Sequence, residues 1–126
     1  MTDLLIVTST PDAFSEFTQA LSSRSDIRLV QADSGAHALG MIPEKRFDLV
    51  VIDETLGDMT GLAFTEKLVK RNPMLNLALV SALPEKKFHE ASEGLGVLAQ
   101  LTPRPNGSEA DRLMEQLDMI TKQLVR

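Results

Sequence analysis

The stretch VVIDETLGDMTG, residues 50–61, drives an apolar run into an acid and then turns on two glycines. Residues 49–52 read Leu-Val-Val-Ile, and Asp53 ends the run. A short apolar run bounded by turn residues has the pattern of a strand covered on both faces. Gly57 and Gly61 are expected to let the next loop take conformations closed to other residues. A carboxylate therefore stands where a buried strand gives way to a loop.

Four more apolar runs, at 4–7, 27–30, 77–80 and 97–101, flank this one. Amphipathic segments alternate with them. The first carries Phe14, Phe17 and Leu21 at helical spacing behind Ser9-Thr10-Pro11, a hydroxyl cap followed by proline. The second begins at Ser34 and ends before Pro43, and the third runs from Thr60 to Asn72-Pro73. Phe64 and Leu68 share one face of the third. The fourth spans Pro84 to about Gly94. The fifth starts near Ser108 with Leu113, Leu117, Ile120 and Leu124 on one stripe. Five strand–helix alternations predict an α/β fold with a doubly wound parallel sheet and right-handed crossovers. Such sheets bind ligands beyond the carboxyl ends of their strands. Those positions are Thr8 and Ser9, Asp33, Asp53, Ser81 and Thr102.

Composition narrows the function. The 126 residues suit one domain, 1–126, and 43% hydrophobic content suffices for a core. A net charge of −5, with 13 Lys and Arg in no basic stripe, argues against nucleic-acid binding. The absence of cysteine excludes disulfides, thiolate catalysis and cysteine-based zinc sites. No apolar run is long enough to span a membrane, and residues 1–9 do not resemble a signal peptide, so a cytoplasmic protein is expected. No GxGxxG or Walker loop appears. His37 and His89 stand alone on separate helices, where surface placement outweighs metal binding. Lys86 and Lys87 open the fourth helix against its dipole, and the six methionines are expected to fill packing gaps. Phe88 is expected in the core, with a partner contact as the alternative.

Asp53 has three chemical readings. It can attack phosphorus as a nucleophile, bind a cation, or accept hydrogen bonds from loop amides and hold the turn. The pattern Asp53, Leu56, Met59, Gly61 resembles the phosphoacceptor loop of response-regulator receiver domains of two-component phosphorelay systems. DLLIVTSTPDAF, VQADSGAHAL, NLALVSA and GLGVLAQLTPRP extend the resemblance along the chain. It implies a flavodoxin-like (βα)5 fold with strand order 2-1-3-4-5. It also implies a signalling domain rather than an enzyme, phosphorylated on Asp53 by a histidine kinase or small phosphodonor with magnesium. Ser81 would contact the phosphate, and Asp53 with the carbonyl of Thr55 would remain as metal ligands.

The departures from that pattern are several. The acidic pair is replaced by Thr8 and Ser9, and the acceptor-loop proline by Gly57. The lysine position falls at Thr102 if Pro103 is the exit proline, and at Arg104 if Pro105 is. The hydrophobic alternation favours Pro103. Residues 97–101 contain no switch aromatic. Lost acids weaken magnesium, and a lost lysine weakens the phosphoryl clamp. Asp33, Glu54 and Asp58 are the acids that would have to compensate. The expectation is a pseudo-receiver with a degenerate site, weak or absent phosphorylation and a protein partner, either histidine kinase or downstream effector. That partner would meet the face of fourth helix, fifth strand and fifth helix. Homodimerisation is open. The alternative is a small-molecule-binding or enzymatic domain on the same fold. With no output domain before Arg126, the chain is read as acting alone or as part of a longer protein.

Overall fold

Residues 1–43 and 45–124 are described by a computed structural model, with side chains to Thr121. The predicted strands and helices are all present. The strands are β1 (Thr2–Val7), β2 (Ile27–Ala32), β3 (Leu49–Ile52), β4 (Leu77–Val80) and β5 (Val97–Leu101). The helices are α1 (Ser15–Ser22), α2 (Gly35–Met41), α3 (Gly61–Arg71), α4 (Glu85–Ala91) and α5 (Gly107–Leu124). All strand pairings are parallel, in the order β2-β1-β3-β4-β5.

Alternating strand residues divide the core in two. Leu4, Ile6, Val51 and Val80 face α1 and α5, where they meet Phe17, Leu113 and Leu117. Leu5, Val7, Ile52 and Leu79 face α2, α3 and α4, where they meet Phe64, Leu68 and Phe88. β3 and β4 are buried at every residue, as their unbroken apolar runs require. Phe14 and Phe17 meet edge to face at 6.0 Å under α1. Each such buried side chain contributes ~1.5–3 kcal/mol of transfer free energy.

Register aligns the strand ends. Val7 lies opposite Ile52, and Val80 opposite Leu101. The β4–β5 register shifts by an irregularity at Leu77/Ala78, so that Ala78 pairs with Ala99. The residues that follow the aligned ends, Thr8, Asp53, Ser81 and Thr102, therefore gather at one edge of the sheet.

Local chemistry departs from expectation at several places. The first helix opens as a tight 3-10 turn over Pro11–Phe14, and Thr10 makes no side-chain cap to it. Its hydroxyl turns to Asp53 instead. Ser34 and Thr60 do cap α2 and α3, accepting from the amides of His37 and Ala63. α4 closes at Ser92, short of Gly94, and the Ser92 hydroxyl donates to the Phe88 carbonyl. α5 begins one residue before Ser108, behind a reciprocal box in which Asn106 Oδ1 accepts from Glu109 N and Glu109 Oε2 accepts from Asn106 N. Met1, Met74 and Met119 are exposed rather than gap-filling, because they sit at the chain start, a turn and the outer face of α5. Leu113 and Leu117 bury their stripe as expected; the side chain of Leu124 lies outside the described residues.

Candidate functional site

Asp53 is 8% exposed, and each of its carboxylate oxygens is engaged. Its backbone amide donates to the Val7 carbonyl at 2.9 Å, which ties β3 to β1. Oδ2 accepts from the Thr8 hydroxyl at 2.6 Å and from the Thr10 hydroxyl at 3.3 Å. Oδ1 accepts from the Glu54 amide at 2.8 Å. Thr8 itself is 2% exposed, and its oxygen accepts from the Thr10 amide at 3.0 Å. The β1–α1 turn thus wraps two hydroxyl donors around one carboxylate. Hydrogen bonds from such donors offset the cost of burying a carboxylate.

Among the described residues, the remaining strand-end side chains make no hydrogen bond to Asp53. Ser9 is exposed. The Ser81 oxygen accepts from the Leu83 amide at 3.1 Å and so holds its own loop. Thr102 donates from its amide and its hydroxyl to Glu109, each at 2.9 Å, and is turned toward α5. Thr102 directly follows the paired end of β5, and Arg104 lies exposed two residues further on. No ion pair among the described residues includes Asp53 or Arg104.

The three acids that would have to compensate are each committed elsewhere. Asp33 pairs with His37 Nδ1 at 3.0 Å. Glu54 Oε2 accepts from the Ala82 amide at 2.9 Å. Asp58 accepts from the amides of Gly35 and Ala36, both at 3.0 Å, and these bonds hold its carboxyl below the usual carboxylate range. Among the described residues, no group of three or more His, Asp or Glu side chains is arranged to hold a metal ion.

The acceptor loop closes on itself. Thr55 bridges Thr60, and the Leu56 amide donates to the Met59 carbonyl. Gly57 has φ +84°, the left-handed region that favours glycine. Gly61 is needed for a different reason than expected. Its φ is not positive; a Cβ there would collide with the backbone carbonyl oxygen of Asp53. A cavity of about 210 Å³ lies beside this loop, lined by Glu54, Thr55, Leu79, Ser81, Leu83 and Phe88.

Thr10 was expected as a helix cap and instead serves Asp53, while Gln100 and Glu109 carried no expectation. The Gln100 amide donates to the carbonyls of Ser81 at 3.2 Å and Leu83 at 2.8 Å. The Asn106-x-x-Glu109 spacing is itself a capping-box signature and was legible. Thr10 and Gln100 act on residues 43 and 17–19 positions away, which no local pattern records.

Solved structures share this architecture. A CheY-like receiver domain protein from Methanospirillum hungatei superposes with a TM-score of 0.82 at 22% identity, covering 98% of each chain. The receiver domain of an HD domain-containing protein from Pseudomonas fluorescens gives 0.81 at 20% identity, covering 99% of this chain and 93% of that one. A chemotaxis response regulator of Vibrio cholerae gives 0.80 at 16% identity, covering 93% and 98%. At these identities the likeness speaks for the fold. The response regulator receiver domain family itself matches residues 4–117. With that match laid over a 2-1-3-4-5 parallel sheet, the chain belongs to the receiver domains of two-component response regulators.

Proposed function

We propose that this receiver domain signals through protein contacts without a phosphoryl switch, with Asp53 serving as a structural hydrogen-bond acceptor. The observation that carries this reading is the Thr8 hydroxyl on Asp53 Oδ2 at 2.6 Å. A conventional site keeps this carboxylate among acids, with an ion and a lysine to offset them. Here the same oxygen faces two hydroxyl donors.

The physics follows from charge. A carboxylate attacking a phosphate anion needs neutralising charge at the reacting oxygens. Thr8 and Ser9 bring none, Thr102 is bonded to Glu109, and Asp53 has no cationic partner among the described residues. Magnesium requires about six oxygens in near-octahedral array. Asp33, Glu54 and Asp58 are held by His37, Ala82 and the start of α2, so the residues present do not fit the ion.

The surface formed by α4, β5 and α5 is then the working face toward a protein partner, either a histidine kinase or a downstream effector in the cytoplasm. It exposes His89 on α4 and Arg112 on α5. No nucleic-acid role is proposed for this domain, and none of its described helices is long and apolar enough to cross a membrane.

Intact mass after incubation with acetyl phosphate and magnesium, and again with manganese, tests this reading. The wild type and Asp53→Asn should both remain unmodified. A phosphate adduct on the wild type that is missing from Asp53→Asn would overturn it.

A further inference from the structure

We infer that Glu54 and Gln100 are positioning residues that brace the β4–α4 loop into one conformation, so that the α4–β5 surface is set by the fold rather than by events at Asp53. This rests on the phosphate-free reading above and extends it to the segment that lies between the carboxylate and that surface.

The brace grips the loop from both sides. From just beyond β3, Glu54 Oε2 accepts the Ala82 amide at 2.9 Å. From β5, the Gln100 amide donates to the carbonyls of Ser81 and Leu83 at 3.2 and 2.8 Å. Between them the Ser81 oxygen accepts the Leu83 amide at 3.1 Å. The Ser81 amide is fixed in turn by the Leu101 carbonyl. Three consecutive residues therefore have backbone groups held by side chains of two other strands or strand ends. The Glu54 amide donates to Asp53 Oδ1, but the loop is held by the Glu54 carboxylate, a separate group. Glu54 and Gln100 are only part-buried, so their hold on the loop does not depend on filling the core. The Gln100 Nε2 carries two N–H donors, one for each of the two carbonyls.

Amide exchange with solvent, measured residue by residue by NMR on the full chain, tests the brace. The variants are Glu54→Ala, Glu54→Gln and Gln100→Met. Exchange at Ala82 should rise about fivefold or more in Glu54→Ala, the factor expected for one net hydrogen bond. Exchange at Leu83, whose amide donates to the Ser81 hydroxyl oxygen, should rise more than about twofold in Gln100→Met, because the loop that carries both residues loses the two bonds from Gln100 to its carbonyls. Glu54→Gln retains an acceptor oxygen and should restore Ala82 toward wild type. Amides of β1 and β3, unchanged throughout, report that each variant is folded. Rates at Ala82 and Leu83 that stay within about twofold of wild type in both disrupting variants would overturn the brace. So would a failure of Glu54→Gln to restore protection. Acetyl phosphate added to the wild type separates the two proposals. An adduct on Asp53 defeats the phosphate-free reading; the brace survives it if Ala82 and Leu83 keep their rates, and falls if those rates rise with the adduct.

Discussion

Replacing Thr8 with valine keeps the branched shape of the side chain and removes its one oxygen. That oxygen donates to Asp53 Oδ2 at 2.6 Å and accepts the Thr10 amide at 3.0 Å. A hydrogen bond to a charged group is worth ~1.5–3 kcal/mol net. Thr10 is exposed, so water takes over its amide at little cost. Asp53 retains the Glu54 amide and the longer contact to the Thr10 hydroxyl, so part of its solvation survives. The expected loss is about 2 kcal/mol, near the middle of the range for a charged bond. For a domain of this size that lowers Tm by about 8 °C. The chain has no Trp or Tyr, so urea unfolding is best followed by far-UV circular dichroism. The same substitution in an Asp53→Ala background isolates the pair. There Thr8→Val should cost nearly nothing or become stabilising, because the hydroxyl no longer has a buried partner. A single-variant cost under about 0.5 kcal/mol, or a cost that persists without Asp53, would refute the reasoning.

Three further outcomes are expected. Gly61→Ala places a Cβ against the Asp53 carbonyl oxygen and should destabilise by about 1–3 kcal/mol, read as a lower urea midpoint at unchanged m-value. Asp58→Asn removes a carboxylate whose pKa is lowered by the Gly35 and Ala36 amides, so its contribution is complete above the ordinary carboxylate value and is lost as pH falls through the lower folded value. The gap in urea midpoint between wild type and Asp58→Asn should therefore be constant near neutrality and narrow as pH drops below about 4. Thr8→Asp replaces a donor by a second carboxylate beside Asp53, so it should lower Tm at neutral pH and regain it with added magnesium. The wild-type melt, followed in parallel, should be indifferent to the ion, and a comparable magnesium-dependent rise in wild-type Tm would contradict the site chemistry.

The fold was legible because it depends on local alternation. Runs such as 49–52 and 77–80 announced buried parallel strands, and Ser34 and Thr60 announced helix starts. The place of Asp53 at a strand end followed directly. The pairing of Thr8 with Asp53 did not, since those residues lie 45 positions apart and meet only once β1 and β3 have paired. Thr10 was read as a helix cap because it precedes Pro11; a nearby buried carboxylate outcompetes a 3-10 turn for its hydroxyl. Gly61 was assigned a conformational role, whereas the requirement is space beside a backbone oxygen. The acids Asp33, Glu54 and Asp58 were open in the sequence because a surface carboxylate takes whichever amide or ring the fold brings to it.

The bond from Asp58 to the start of α2 bears on the order in which the chain folds. α2 has seven residues, too few to persist alone in water. Its first amides are completed by a carboxylate 22 and 23 positions downstream, and Met59 packs over Gly35 beside it. A chain emerging from its amino end exposes residues 35–41 well before that carboxylate exists. The second helix is thereby expected to form late despite its early place, once β3 has docked, whereas α1 and α3 each bury an aromatic of their own, Phe17 and Phe64. Kinetic experiments that resolve individual segments should find residues 35–41 acquiring protection together with the acceptor loop.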